Sequence, residues 1–454
     1  MPEVPVKIYV DKLLKEIRKM TSPVALLPGP VKDKALRAMA ERIEADAEAI
    51  LAANDQDVDA LGKSFEGESN KDRLKAAVAR VRIQPDDIKD MAERLRTIAD
   101  SADPVGAVTA KWERPDGLQV SRVRVPIGVI GVISERKPLV TVESIALCLK
   151  AGNPCIFRGA PEWALTHQVI GKGLREAAEG QGVPAGAWVL VERQEKEVAV
   201  ELIRAGKHLD AIIPRGGPGL RKAVLDGARM PVLCHDGGLN HLYVDADTDI
   251  PMAQNIAINS KAQLAGASNA LDTLLVQQVV ARQFLAALIN RLLDEFKIEV
   301  RGCPKTIALM GQMAMSGHTS IKPATEEDWT TQFERRLLAV KMVTGLDEAL
   351  QHIAQHGPVL TAVIATTSYA AAMRFTREVD AASVMVNASS RLNAGDGFGL
   401  GADIGLSTSR LHAKGPIGLD QLTCEKFVTF GSGQLRLPHP VPEAYFDAIM
   451  LKRP

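Results

Sequence analysis

Arg215-Gly216-Gly217-Pro218-Gly219 follows a strand-like run, Leu209 to Ile213, and precedes a helical segment. Exposed backbone N–H groups at such a turn suit a phosphate. No G-K-[ST] follows, which excludes a P-loop, and spacing alone leaves a bare tight turn equally open. Gly397 to Ala402, G-F-G-L-G-A, fits the dinucleotide pattern G-x-G-x-x-A, but no strand-helix-strand unit starts there and it reads as a turn. His352 and His356 stand four apart on an apparent helix, as two zinc ligands would; position 353 is Ile rather than Glu, no third ligand is evident, and a solvated helix face is predicted. Cys234 ends a strand-like run and reads as a buried, inert thiol. The stretch that organises the rest is Lys261 to Val276, K-A-Q-L-A-G-A-S-N-A-L-D-T-L-L-V, a small-residue turn carrying Ser268 and Asn269 and ending in an apolar run.

A chain of 454 residues is too long for one core, and 46% apolar content supplies at least two. Lys+Arg and Asp+Glu both total 55, so there is no basic field to attract nucleic acid or an anionic membrane. The five cysteines, Cys148, Cys155, Cys234, Cys303 and Cys424, are scattered without a CxxC pair, which predicts reduced thiols and a cytoplasmic protein. No apolar run is long enough to span a bilayer, and the opening M-P-E-V-P-V-K lacks the hydrophobic region of a signal peptide.

The elements that must position these groups follow from periodicity. Leu36, Met39, Ile43 and Ile50 recur at helical spacing, as do Ile88, Met91, Leu95 and Ile98, the second set behind Pro85, Asp86 and Asp87 at a helix start. Two alternating runs flank Pro115-Asp116-Gly117 and predict a hairpin between Val108 and Pro126. From Gly128 short apolar runs alternate with helix-length segments: Gly128 to Ile133, Pro154 to Phe157, Trp188 to Val191, Leu209 to Ile213 and Pro231 to Cys234. These predict buried parallel strands in a doubly wound α/β sheet, whose ligands sit beyond the carboxyl ends, at the loops Ser134 to Thr141, Arg158 to Glu162 and Arg215 to Gly219. A second α/β unit follows Asp245, with a helix around Val280 to Phe296 and strands near Val300, Ala339 to Val343, and Ala381 to Asn387. Lys426 to Phe430 reads as a last strand before a polar tail.

Several blocks resemble the gamma-glutamyl phosphate reductases (glutamate-5-semialdehyde dehydrogenases) of the aldehyde dehydrogenase superfamily. They are Arg124 to Ile133 (R-V-P-I-G-V-I-G-V-I), Ala146 to Asn153 (A-L-C-L-K-A-G-N), Ile213 to Gly217 (I-P-R-G-G), Ser383 to Ser389 (S-V-M-V-N-A-S), Gly399 to Ser407 and His412 to Leu419. The resemblance implies an aldehyde-dehydrogenase-like α/β fold with a Rossmann-like cofactor domain, an α/β catalytic domain and an oligomerisation arm. It divides the chain into 1–107 with 127–245 for NADP, 108–126 for the arm, 246–404 for catalysis, 405–434 for a return to the cofactor domain and an interface strand, and a tail at 435–454. It also implies a homo-oligomer, and NADPH-dependent reduction of L-glutamyl 5-phosphate to the semialdehyde in proline biosynthesis. Arg158, Gly159, Glu162, Pro214, Arg215, Gly216 and Gly217 fall on its cofactor-side turns.

The family's nucleophile segment reads C-N-x-x-E/D-T-L-L-V; here Ser268 stands at the cysteine, followed by Asn269. A thiolate displaces phosphate to make a thioester electrophilic enough to take a hydride, whereas serine needs a strong base and forms a resonance-stabilised ester. Leu139 stands where the family has an oxyanion asparagine, and one lost donor of that kind costs about 3 kcal/mol of transition-state stabilisation. Gln332 replaces the acidic residue expected to hold the nicotinamide ribose, and Val359-Leu360-Thr361-Ala362 replaces a G-H-T-E stretch. Three readings follow: a working reductase; a catalytically silent relative that binds nucleotide, a glutamyl ligand or a partner such as glutamate 5-kinase or an intact reductase; or a reductase-like protein for another substrate. The chemistry favours the second, overall similarity the first.

Overall fold

The computed structural model describes residues 4–65, 71–234, 238–313 and 321–436. Its helices follow the periodic stretches. Leu36 to Ile50 divides at Asp46 into helices Gly29–Ala45 and Ala47–Ser64, which bury Leu36, Met39, Ile43 and Ile50. Pro85 opens the helix Pro85–Asp100, where the Gln84 and Asp87 side chains cap each other's backbone N–H.

Pro115-Asp116-Gly117 turns the chain between β1 (Val108–Glu113) and β2 (Gln119–Pro126), with Gly117 at φ +78°, which a residue with a Cβ adopts only under strain. The next four strands are β3 (Ile130–Ser134), β4 (Cys155–Arg158), β5 (Trp188–Leu190) and β6 (Ala211–Arg215), parallel and in spatial order β5-β4-β3-β6. All of β3 and β4 is buried, which explains their continuous apolar runs. With β4 on one side of β3 and β6 on the other, a crevice opens at the carboxyl ends of these strands. The run Pro231 to Cys234 does not extend this sheet as expected: only Val232 bridges to Ile212, because Pro231 brings no N–H to a ladder. Likewise the loop after β3 is shorter than expected, since the helix Pro138–Lys150 already includes Thr141.

A seven-stranded parallel sheet follows: β7 (Leu239–Val244), β8 (Thr273–Gln277), β9 (Glu299–Gly302), β10 (Lys322–Pro323), β11 (Leu337–Val343), β12 (Val359–Ala365) and β13 (Ala381–Val386). Their spatial order is β10-β9-β11-β8-β7-β12-β13. The Val280 to Phe296 segment forms the helix Gln278–Asn290 and a π turn, Arg291–Glu295. The stretch Val359 to Ala362 opens β12, between β7 and β13; Leu360 and Ala362 are fully buried there as core. A short ribbon, β14 (Leu406–Ser407) with β15 (Gly415–Pro416), leads to β16 (Thr423–Phe430), which pairs antiparallel with β2 and completes a three-stranded arm. Most of the tail, from 437 on, lies outside the described residues.

The histidine pair is the clearest correction. His352 lies not on a solvated face but against the sheet, 1% exposed, because it shares the apolar stripe of the helix Leu346–Gln355 with Ala349 and Ile353. Its ring meets His356 at 4.3 Å, Trp329 at 5.5 Å and His241 at 5.7 Å, and its Nδ1 lies 3.1 Å from Lys341 Nζ. Among the described residues no group of acids, cysteines and histidines has metal-binding geometry, and no helix is long and apolar enough to cross a membrane.

Candidate functional site

Ser268 sits in the turn between the helix Ile250–Ala262 and β8, at the amino ends of the seven-stranded sheet. That turn faces the carboxyl end of β6, and between them is a cavity of about 330 Å³. Four arginines line it, Arg136, Arg215, Arg221 and Arg391, against one carboxylate, Asp403.

The turn is fastened from several sides. Asn240 Nδ2 and Gln332 Nε2 donate to the Ser268 carbonyl at 2.8 and 2.7 Å. The Asn269 amide donates to the carbonyls of Asn393 at 2.8 Å and Arg391 at 3.3 Å, and Ser390 Oγ donates to the Asn269 carbonyl. Asp272, buried, accepts from the backbone N–H groups of Asn240 and Phe333 and from the Asn240 amide. Burial pushes the Asp272 carboxyl up to about 6 despite the Lys261 charge. Burial likewise brings the Lys261 amine down to about 8; it has no hydrogen-bond partner and lies 5.8 Å from the Phe333 ring. All of these but the Asn240–Asp272 side-chain pair hold backbone groups; those that reach Ser268 end on its carbonyl, not its hydroxyl.

Arg215 leaves the end of β6 with its Nε buried and without a partner. Gly405 stands opposite it at φ +152°, where a side chain would be strained, and a Cβ there would lie 2.1 Å from Nη1 and displace the guanidinium. Behind it Glu143 is pushed up to about 7 by burial, against the pull of Arg94 and Arg215, and burial raises Asp403 too.

The Arg215–Gly219 turn separates this cavity from a second, of about 1070 Å³, beyond the carboxyl ends of β3, β4 and β6. Pro214, Arg215 and Gly216 line the first; Gly217 and Gly219 line the second, with Glu135, Arg158, Ala160, Glu162 and Trp163. Gly217 N–H donates to Glu135 Oε2 at 3.1 Å. Gly159 lets β4 approach the His167 ring, 2.2 Å from where its Cβ would stand.

The structure thus brings Ser268, Asn269, Pro214, Arg215 and Gly216 together, and groups Arg158, Glu162 and Gly217 in the neighbouring cavity. Leu139 and Gln332 line neither: Leu139 is half-buried against the core while the next residue, Val140, faces Ser268's cavity, and Gln332 holds the turn. Sequence reasoning missed Arg136, Arg221, Arg391, Asp403, Arg80 and Lys196. Arg221 lies two residues beyond the glycine turn and was within reach; the others carry no local pattern.

A profile of the Aldehyde dehydrogenase family matches residues 9–306, and the chain belongs to that family. It is 44% identical over 422 residues to the gamma-glutamyl phosphate reductase of Heliobacterium modesticaldum, covering 93% of this chain and 97% of that protein. To that of Moorella thermoacetica it is 45% identical over 405 residues, covering 89% and 93%. The crystal structure of gamma-glutamyl phosphate reductase from Thermotoga maritima superposes with a TM-score of 0.86 at 36% identity, covering 94% of this chain and 99% of that one. Within its class, this chain is a member of the gamma-glutamyl phosphate reductases.

Proposed function

We propose that this protein binds NADP in the larger cavity and a glutamyl-type acyl phosphate in the smaller, and that Ser268 leaves it without significant turnover. The observation that carries the reading is the smaller cavity, where four arginines surround a serine whose tethers all serve its carbonyl. Arginine matches the planar oxygens of phosphate and carboxylate, so Arg136, Arg215, Arg221 and Arg391 suit a ligand carrying both. A serine hydroxyl attacks an acyl group only with a base to take its proton. Among the described residues no carboxylate or imidazole hydrogen-bonds that hydroxyl, and the Lys261 amine lines neither cavity.

The larger cavity fits a dinucleotide in volume and in chemistry. Arg158 is 8% exposed on its wall, with Nη2 on the Gln194 carbonyl at 2.9 Å and a buried Nε that has no protein acceptor. Bound there, NADPH would supply hydride; Arg158 and the Gly217 turn would hold its phosphates and ribose. In this reading residues 1–107 and 127–245 serve the cofactor and 246–404 the acyl ligand. The arm at 108–126, with β16 from 405–434, joins copies of the chain through an exposed face where Trp112 meets Phe427 at 6.2 Å.

Titration calorimetry with NADPH, paired with an assay of glutamate 5-semialdehyde oxidation by NADP and phosphate, tests the reading. Heat of binding without turnover is the expected outcome. Absence of binding at millimolar NADPH removes the cofactor assignment, and brisk turnover removes the silent one.

A further inference from the structure

The carboxylate of Glu334 is shared between the two cavities. It lines the larger one, and it lies 3.9 Å from both Arg136 and Arg221, which line the smaller. Arg136 comes from the loop after β3, Arg221 from the helix Pro218–Gly227, and Glu334 from the segment before β11, so the three charges meet across the two large sheets. At 3.9 Å neither contact is a hydrogen bond, and among the described residues no donor bonds the Glu334 carboxylate.

The backbone that carries this loose carboxylate is fixed. Gln332 Nε2 donates to the Ser268 carbonyl at 2.7 Å and Phe333 N–H donates to Asp272 at 3.0 Å, which fastens the two preceding residues to the Ser268 turn. Glu334 itself has φ +44°, a left-handed conformation that strains a residue with a Cβ and that glycine or asparagine adopts at less cost. A glutamate there is better explained by its charge than by the fold. Of its two partners Arg221 is buried, with Nη1 on the Gly216 carbonyl at 3.3 Å, and Arg136 lines both cavities. A buried guanidinium needs an anion near it whether or not a ligand is bound.

Building on the two-cavity reading above, we propose that Glu334 is the resident counterion of Arg136 and Arg221 and that, through it, anions in the two cavities oppose each other's binding. An anion that pairs with both arginines takes over the contacts of Glu334. It leaves that carboxylate unpaired on the wall of the larger cavity, where it repels the phosphates of a dinucleotide. A dinucleotide already in place favours Glu334 held against the arginines, which then offer less to an anion. The effect is reciprocal, because each ligand changes the other's affinity by the same factor. Glu334 in this account sets the coupling and takes no part in a reaction step.

Calorimetry at pH 8 on wild type and Glu334→Gln tests the coupling. NADPH probes the larger cavity; the smaller is probed with the phosphonate analogue of glutamyl phosphate in which CH2 replaces the bridging oxygen, so that no acyl transfer occurs. In wild type, saturating NADPH raises the Kd of the phosphonate at least fivefold, and saturating phosphonate raises the Kd of NADPH by the same factor. Glu334→Gln, equal in length and without charge, binds the phosphonate alone at least threefold more tightly than wild type, and its coupling falls below twofold; retained NADPH binding shows that the variant is folded. Wild-type ligands that bind independently overturn the inference and leave the two-cavity reading intact, whatever the variant does. Full coupling retained in Glu334→Gln also overturns it, and assigns the antagonism to the ligands themselves. A wild type that fails to bind either probe overturns the two-cavity reading, and this inference with it.

Discussion

The two cavities flanking the Arg215–Gly219 turn differ in how their charge is arranged. In the larger one acids find donors within the wall, as Glu162 meets Arg80 at 2.9 Å and Glu135 accepts from Gly217 N–H at 3.1 Å. In the smaller one four arginines face one lining carboxylate, and the next acid, Glu334, reaches Arg136 and Arg221 only at 3.9 Å. Of the four, Arg221 is buried and Arg215 holds its Nε buried without a partner, and positive charge so placed is costly unless a ligand completes it. On the proposed reading, the smaller cavity leaves its arginines to the ligand's anionic groups, while the larger one satisfies its acids from its own wall and leaves the buried Arg158 Nε for its ligand.

The sharpest way to break the contrast is at the shared turn. Arg215→Ala removes the guanidinium that Gly405 makes room for, and is expected to lower affinity for a phosphate-bearing acyl ligand at least tenfold, about 1.4 kcal/mol or more. NADPH affinity should change less than threefold, about 0.6 kcal/mol or less, because Arg215 lines only the smaller cavity. Calorimetry with each ligand measures both, and parallel losses would mean that the turn works as one site.

The strands around that turn were readable before the structure, because buried parallel strands are written as unbroken β-branched runs and Pro115-Asp116-Gly117 announces its own hairpin. The turn carrying Ser268 was readable only through resemblance. Its supports, Asn240, Gln332 and Ser390, come from far along the chain and converge through sheet order, which no local spacing encodes. The same holds for Arg136, Arg391 and Asp403, ordinary charged residues until the fold gathers them. His352 misled for a different reason: a histidine can share the apolar stripe of a helix, and residue type alone assigned it to the wrong face.

A smaller effect sharpens the contrast through pH. Burial pushes Glu143, behind Arg215, up to about 7. Unfolded, it loses its proton near the ordinary glutamate value of about 4.3, so over the interval up to pH 7 the folded state holds a proton that the unfolded state has released. This group's contribution to stability therefore falls as pH rises from about 4.3 to 7, by roughly 3 kcal/mol in all. Glu143→Gln, which cannot ionise, is expected to be more stable than wild type at pH 8 by part of that amount and to lose the advantage at pH 4.5. Denaturant titrations at the two pH values read the difference, and equal midpoint shifts at both would separate Glu143 from the charge balance of the smaller cavity.

The central claim is that this protein keeps the cavities of a gamma-glutamyl phosphate reductase and lacks the nucleophile. The most direct measurement compares rates of semialdehyde oxidation with phosphate and NADP for wild type, Ser268→Ala and Ser268→Cys. The account predicts wild type and Ser268→Ala indistinguishable at background, and Ser268→Cys raised above both yet poor, since Leu139 brings no hydrogen-bond donor and Gln332 is committed to the Ser268 carbonyl at 2.7 Å. Substantial wild-type activity that Ser268→Ala abolishes would contradict it.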